Sequence, residues 1–240
     1  MMAALKTLTK TICCVLICCG LLLPTGHTQE VQLEVLNSAN GLSQGMIYDI
    51  LQDKQGFLWY GTRGGLNRFD GYNFKAFKPD PFNPFSISDN TIQAILEDRQ
   101  GRLWLGTESN GVDVYDPQSG RFYHLKAEKN GLSNRNVASL AEAPDGSIWV
   151  GTRDGLNKVE LKALPTQSAN LIGHAKVTIY NWEQSTGKVP FGNVYQSLLC
   201  TKDGNLWVGT LHQAYRFDLN KGTKETLPTF EPNPNSPWQT

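Results

Sequence analysis

A four-residue motif of tryptophan, a variable residue, glycine and threonine recurs along this chain and constrains its fold more than any other feature. The four copies are Trp59-Tyr60-Gly61-Thr62, Trp104-Leu105-Gly106-Thr107, Trp149-Val150-Gly151-Thr152 and Trp207-Val208-Gly209-Thr210. Successive tryptophans are 45, 45 and 58 residues apart. Repeats of roughly 40 to 50 residues are typical of propeller blades. The sequence therefore predicts an array of similar units.

Each motif tryptophan is preceded at three residues by the glycine of a predicted hairpin turn. The turns are Asp53-Lys54-Gln55-Gly56, Asp98-Arg99-Gln100-Gly101, Pro144-Asp145-Gly146 and Lys202-Asp203-Gly204. Aspartate starts such turns readily and glycine adopts positive φ without a steric penalty. Mostly apolar runs before the turns predict a buried first strand, and the tryptophan segment is the second strand.

Two further strands complete each repeat. Alternating polar and apolar residues, as in 112–116, predict a third strand, and a short aromatic segment such as 122–125 predicts a fourth. Four strands form one propeller blade. We predict an all-β chain, a β-propeller of four-stranded antiparallel blades with about four blades present in an incomplete ring. Within a repeat region of 29–240, the blades are placed at about 41–80, 86–126, 131–182 and 191–230.

The recurrent residues are interpreted as structural, because every blade must fill the same gap against its neighbours. Tryptophan supplies buried area, and glycine lets a neighbouring backbone come close. Threonine is expected to satisfy local backbone groups. The structural positions are Trp59, Gly61, Thr62, Trp104, Gly106, Thr107, Trp149, Gly151, Thr152, Trp207, Gly209 and Thr210.

Residues 1–28 have the pattern of a secretory signal peptide. Lys6 and Lys10 precede the apolar run 12–23, which is short for a membrane span. Export to the periplasm follows, with cleavage before Gln29 favoured and an uncleaved anchor as the alternative. Four of the five cysteines lie in this segment, which leaves Cys200 as a predicted inert, buried thiol.

Both ends of the repeat region predict a longer protein. The segment 31–35 alternates like a closing fourth strand without its own blade, and 231–240 is interpreted as the start of a further repeat. The chain carries 22 basic and 22 acidic residues, which argues against nucleic acid as a partner. The remaining blades and output domains of the parent protein are expected partners.

The order Gly-Leu-Ser, apolar strand, Asp-x-x-Gly, Leu-Trp-x-Gly-Thr and Gly-Leu-Asn-Arg-Phe-Asp resembles the two-component regulator propeller repeat. The resemblance covers about 41–230 and is closest in the first repeat. It implies the periplasmic sensor region of an inner-membrane hybrid histidine kinase, less often of a diguanylate cyclase or transcription-regulator fusion. It also implies a carbohydrate or another small periplasmic ligand, and a homodimer of the full receptor is left open.

We expect a non-catalytic ligand sensor with no cofactor, no metal and no catalytic residue in this chain. Propeller function normally resides in loops at one rim. Residues one or two positions after each Gly-Thr pair differ between otherwise similar repeats, which makes them candidate ligand-binding residues. They are Arg63, Glu108, Arg153 and His212.

Two alternatives remain open. One is a propeller lyase of the streptogramin-inactivating type, which would need acid–base groups, often with a metal. The mature histidines, His124, His174 and His212, lack metal-ligand spacing and are interpreted as surface or satisfied side chains. The other is a structural protein-binding propeller, although the tryptophan-aspartate dipeptide of such repeats is absent here.

Overall fold

The computed structural model describes residues 35–180, 195–210 and 214–226. Contacts divide the chain into two units, Met1–Val35 and Leu36–Thr240, and the strands described below belong to the second. The predicted signal peptide and the segment 231–240 lie outside the described residues. The same holds for the predicted closing strand except Val35, which is exposed and lies in no strand.

The described residues form β-strands and one short 3₁₀ helix, Ser38–Asn40. Blade 1 consists of β1 (Ile47–Gln52), β2 (Leu58–Thr62), β3 (Gly65–Phe69) and β4 (Phe74–Phe77). Blade 2 consists of β5 (Ile92–Glu97), β6 (Leu103–Thr107), β7 (Val112–Asp116) and β8 (Arg121–Leu125). Blade 3 consists of β9 (Val137–Glu142), β10 (Ile148–Thr152), β11 (Gly155–Leu161) and β12 (Ala175–Tyr180). Blade 4 consists of β13 (Tyr195–Cys200), β14 (Asn205–Thr210), β15 (Ala214–Asp218) and β16 (Thr223–Thr226).

Each blade is a four-stranded sheet in which sequence neighbours pair antiparallel. The registers repeat closely: Trp59 pairs with Leu51 and Trp104 with Leu96 on the preceding strand. One residue of every first strand is left unpaired opposite the Gly-Thr pair, as at Tyr48 in blade 1. Four sheets of one design confirm the predicted propeller blades.

Successive blades meet through their first strands. Strand β1 lies beside β5, β5 beside β9, and β9 beside β13. Among the described strands, β13 does not lie beside β1 in this way, so the four sheets are not closed into a ring. The prediction of an incomplete ring is confirmed for the described part of the chain.

The apolar core lies between blades rather than within them. Each of the three buried clusters combines residues of two successive blades, and each contains one motif tryptophan. Trp59, Trp104 and Trp149 are at most 2% exposed. Trp59, for example, lies against Tyr115 of blade 2 with ring centroids 5.6 Å apart.

The expectation of a buried tryptophan in every repeat is wrong for Trp207, which is 37% exposed. The side chains of the first three motif tryptophans are covered by the blade that follows each of them. No described strand lies beyond blade 4 to cover Trp207 in the same way. Burial of this residue depends on a neighbour and not on its own strand.

The motif glycine and threonine serve the same blade junctions. A Cβ at Gly61 would lie 2.8 Å from the carbonyl oxygen of Ile92, at the start of the next blade. The hydroxyl of Thr62 donates to the Gly65 carbonyl at 2.8 Å and accepts from the Gly64 amide at 3.0 Å. Glycine thus allows close approach, and threonine fixes the loop to the third strand.

Replacing Trp104 with alanine is expected to lower the free energy of unfolding by about 3–5 kcal/mol, the usual cost of deleting a large buried aromatic side chain. Trp207→Ala is the matched control and is expected to cost clearly less, because its ring is partly exposed. Urea unfolding of the 240-residue chain measures both. Equal losses for the two variants would contradict the role assigned to the following blade.

Candidate functional site

The upper rim is the edge formed by the loops between second and third strands, 62–65, 107–112 and 152–155, together with the loops before the first strands. At this rim a serine amide donates to a buried side chain of the third strand in each of three blades. The pairs are Ser43 to Asn67 at 2.9 Å, Ser88 to Asp113 at 2.7 Å and Ser133 to Asn157 at 2.8 Å. All three acceptor residues are fully buried. The loops of the upper rim are therefore anchored alike.

The candidate ligand-binding residues predicted from the sequence lie in the same upper-rim loops. Their backbone amides donate to the residue just before the first strand: Arg63 to Met46 at 3.3 Å, Glu108 to Thr91 at 3.1 Å and Arg153 to Asn136 at 3.0 Å. Their side chains are exposed. The structure thus places three predicted residues at equivalent positions on one rim, and His212 lies outside the described residues.

Contacts that the sequence did not reveal brace this rim in blade 2. The amide and hydroxyl of Ser109 both donate to Asp89 Oδ2, at 2.8 and 2.6 Å. Asn136 Nδ2 donates to the Glu108 carbonyl at 3.0 Å and so ties the blade-2 loop to blade 3. The residues that make these two contacts are not repeated in the other blades, so the repeat pattern could not predict the contacts.

Blade 2 carries a charged version of the buried junction, because Asp113 stands where blades 1 and 3 have asparagine. Asp113 Oδ1 accepts from the Ser88 hydroxyl at 2.8 Å and lies 2.7 Å from His124 Nδ1. His124 Nε2 lies 3.0 Å from the Pro84 carbonyl oxygen. Both ring nitrogens thus face acceptors, which suits the protonated imidazolium. The histidine is satisfied, as the sequence predicted.

The environment of His124 changes its pKa. Burial lowers the pKa, but the hydrogen bond from His124 to Asp113 and the charge of that carboxylate outweigh burial and raise the pKa above its ordinary value. The carbonyl of Pro84 acts in the same direction, and Lys126 opposes it. A cleft of about 310 Å³ adjoins the pair, lined among others by Ser88, Asn110 and Lys126.

The lower rim, at the opposite end of the first and second strands, holds the Asp-x-x-Gly turns of blades 1 and 2. Asp53 accepts the amides of Gln55 and Phe57 through Oδ1, at 3.0 and 2.9 Å. Its Oδ2 accepts from Trp59 Nε1 at 2.7 Å, and Asp98 accepts from Trp104 Nε1 at 2.8 Å. The turn aspartate therefore also holds the buried indole.

The residue after this aspartate reaches across to the next blade. Lys54 Nζ donates to the Asp98 carbonyl at 2.7 Å. The Arg99 guanidinium donates to the carbonyls of Ala143 and Pro144 at 2.8 and 2.9 Å, and to Glu142 at 2.8 Å. These contacts link blade 1 to blade 2 and blade 2 to blade 3 at the lower rim.

Cys200 is half-buried in β13, and burial raises the pKa of its thiol to about 12. The thiolate is the reactive form of cysteine, so this environment disfavours reaction. In the described part of the chain, no cluster of three or more histidine, cysteine or acidic residues could hold a metal ion. No helix among the same residues has the length and apolar character needed to cross a bilayer.

The blades define a β-propeller repeat protein. Comparison with known proteins shows which family of repeats these blades match. Four segments, 41–64, 86–109, 131–154 and 188–212, match the family model "Two component regulator propeller". The first three segments each run from the loop before a first strand to the loop after the Gly-Thr pair. The chain therefore contains two-component regulator propeller repeats, as the motif order predicted.

Individual proteins are similar to parts of this chain, and the solved structures among them, at under 25% identity, show the fold alone. Over 49 residues the chain is 55% identical to histidine kinase P4 of Formosa agariphila, a match that covers 20% of this chain and 4% of the kinase. The extracellular domain of the putative hybrid two-component system BT3049 of B. thetaiotaomicron aligns with a TM-score of 0.65 and 24% identity. That alignment covers 82% of this chain and 26% of the structure. The chain thus spans a small part of these relatives.

A virginiamycin B lyase from Staphylococcus aureus also aligns, with a TM-score of 0.53 and 13% identity over 76% of this chain and 55% of the lyase. At this identity the likeness concerns the fold alone. It therefore does not favour the lyase alternative over the sensor.

We expect the His124–Asp113 pair to make stability depend on pH. The unfolded pKa of histidine is about 6.5, and the folded pKa is higher, so the contribution is fully present below about pH 6.5 and is lost as pH rises through the folded pKa. The difference in unfolding free energy between the unsubstituted chain and His124→Gln should therefore shrink with rising pH. Urea unfolding between pH 5.5 and 8.5 measures it.

The control is His174→Gln, because His174 is exposed. It should leave the pH dependence of the unsubstituted chain in place. A pH-independent difference for His124→Gln would show that the imidazolium does not stabilise this junction.

Proposed function

We propose that this chain is the ligand-sensing propeller region of an exported two-component receptor and carries no catalysis of its own. The observation that carries the proposal is the upper rim. Arg63, Glu108 and Arg153 occupy one equivalent, exposed place, their backbones are held by equivalent hydrogen bonds, and their side chains differ. Packing accounts for what the repeats share. Variation at an exposed, fixed position is suited to recognition.

The chemistry of these side chains supports a polar ligand. Guanidinium groups donate several hydrogen bonds in a fixed planar geometry, and a carboxylate accepts them. Together, two arginines and one glutamate suit a ligand rich in hydroxyl groups, such as a carbohydrate. His212, which follows the fourth Gly-Thr pair, is included in the proposed site by its sequence position.

The proposal that this chain belongs to an exported receptor rests on the repeats and on the predicted signal peptide. Two-component regulator propeller repeats occur in this chain, and one relative is a histidine kinase. Residues 1–28 have the pattern of a secretory signal, which supports a periplasmic location for the propeller. We propose that an output region, most simply a histidine kinase, and further blades belong to the parent protein.

The test is alanine substitution of Arg63, Glu108, Arg153 and His212, singly, in the intact receptor. We expect at least one variant to lose about tenfold or more in response to an oligosaccharide panel, since a charged hydrogen bond contributes about 1.5–3 kcal/mol. Output is read as receptor phosphorylation, and melting temperature checks the fold. Lys221→Ala, an exposed charge at the lower rim, is the matched control.

Two results would contradict the proposal. One is an undiminished response in all four variants at unchanged melting temperature. The other is an equal loss in the Lys221→Ala control, which would show that any surface charge affects output and that the upper rim is not the site.

A further inference from the structure

The lower rim of blade 3 departs from the repeat at two adjacent positions. The same turn is formed in three blades: the amide of Asp53, Asp98 or Ala143 donates to the carbonyl four residues later, each at 2.9 Å. Ala143 therefore stands in place of the turn aspartate. Pro144 stands in place of the basic residue, Lys54 or Arg99, that reaches the next blade.

The first departure leaves a buried donor without a partner. Trp149 is 1% exposed, and within the described residues its Nε1 has no hydrogen-bond partner. In the two preceding blades the same indole nitrogen lies 2.7 and 2.8 Å from a carboxylate oxygen. The structure thus contains two internal templates for what this donor binds. An unpaired buried donor is costly, which favours an acceptor at this place.

The second departure lies at a cleft that the same tryptophan lines. A cleft of about 170 Å³ lies between blades 3 and 4, lined among others by Pro144, Trp149, Lys158, Phe217 and Asn220. Proline has no side-chain donor with which to reach across, unlike Lys54 and Arg99 in the earlier blades. The acceptor and the bridging side chain are therefore both missing where the cleft opens.

We propose that this cleft binds a small carboxylate, one oxygen of which accepts the Trp149 indole N–H. The templates fix the chemistry, since the equivalent acceptor is a carboxylate in both Asp53 and Asp98. The cleft volume accommodates an acetate-sized anion. Aromatic walls from Trp149, Tyr180 and Phe217 leave room for a short apolar substituent on it.

Two cations and two acids surround the turn, and one of the acids, Asp145, lines the cleft together with Lys158. Arg99 donates to the Ala143 carbonyl at 2.8 Å, and Lys158 lines the cleft 2.8 Å from Asp145 Oδ2. Each cation is paired with one acid, Arg99 with Glu142 and Lys158 with Asp145. A bound carboxylate would supply to Trp149 the indole hydrogen bond that Asp98 makes with Trp104 in blade 2.

This site is separate from the proposed sensing rim. It lies at the turns between first and second strands, the opposite end of those strands from Arg63, Glu108 and Arg153. It rests on the indole donor, the cleft and the two templates, and it stands or falls independently of the upper rim.

The test uses the full ¹⁵N-labelled chain and follows the indole N–H signals of its six tryptophans by NMR. Sodium acetate is titrated against sodium chloride at constant ionic strength. We expect one indole signal, the one missing in Trp149→Phe, to shift saturably with a dissociation constant on the order of 1–10 mM. Chloride, acetamide and ethanol should leave it in place.

Ala143→Asp supplies the missing carboxylate from the chain itself. We expect this variant to abolish the acetate shift and to move the Trp149 signal, without acetate, towards the Trp59 and Trp104 signals. Thr201→Asp is the matched control, because Thr201 begins the equivalent turn of blade 4, with its amide 2.8 Å from the Asn205 carbonyl oxygen. It should retain the acetate shift.

Three outcomes would overturn the proposal. They are no acetate-dependent shift of the Trp149 signal, an equal shift with acetamide or ethanol, and an undiminished shift in Ala143→Asp. The second outcome would mean that any neutral acceptor, water included, satisfies the indole. Where Trp149→Phe does not fold, the signal moved by Ala143→Asp identifies Trp149.

Discussion

Burial of one blade's tryptophan beneath the next blade is the interaction on which the rest of this structure depends. Each apolar cluster is shared between two blades, so neither blade completes its core alone. Stability in such an array is a sum of blade terms and nearest-neighbour interfaces. The close approach at Gly61 and the loop held by Thr62 belong to the same interface. Through them, the packing of the core sets the spacing of the loops above it.

A strict repeat makes its departures informative, because the geometry around them is held constant. Blade 2 has Asp113 where blades 1 and 3 have asparagine, and this aspartate forms a buried charged pair with His124 in place of a neutral junction. Blade 3 has Ala143 where blades 1 and 2 have aspartate, so within the described residues the buried indole of Trp149 has lost its acceptor. In both cases the hydrogen bond that anchors the same segment in the neighbouring blades is kept, from the Ser88 amide to Asp113 and from the Ala143 amide to the Ser147 carbonyl. The change is therefore one of chemistry and not of fold, and each blade serves as a control for the next.

Strand positions and blade design could be predicted from the sequence, because alternation, turn residues and the tryptophan spacing all report local geometry. The turn aspartates show the limit. Asp53 and Asp98 were recognisable as turn residues, yet their bonds to indoles six residues later depend on how the hairpin folds over its own tryptophan. The bracing of Ser109 by Asp89 was likewise hidden, since it joins segments 20 residues apart and occurs in one blade.

By itself, the sequence determined the class of fold, the number of repeats and which residues lie at the upper rim after the first three Gly-Thr pairs. These properties follow from the periodicity of residue types, which can be read directly along the sequence. Tertiary structure alone decided which motif tryptophans are covered, because burial of Trp149 or exposure of Trp207 depends on a neighbouring blade. It also decided which donors are satisfied. A hydrogen bond needs two groups within about 3 Å, and no spacing along a chain supplies that distance.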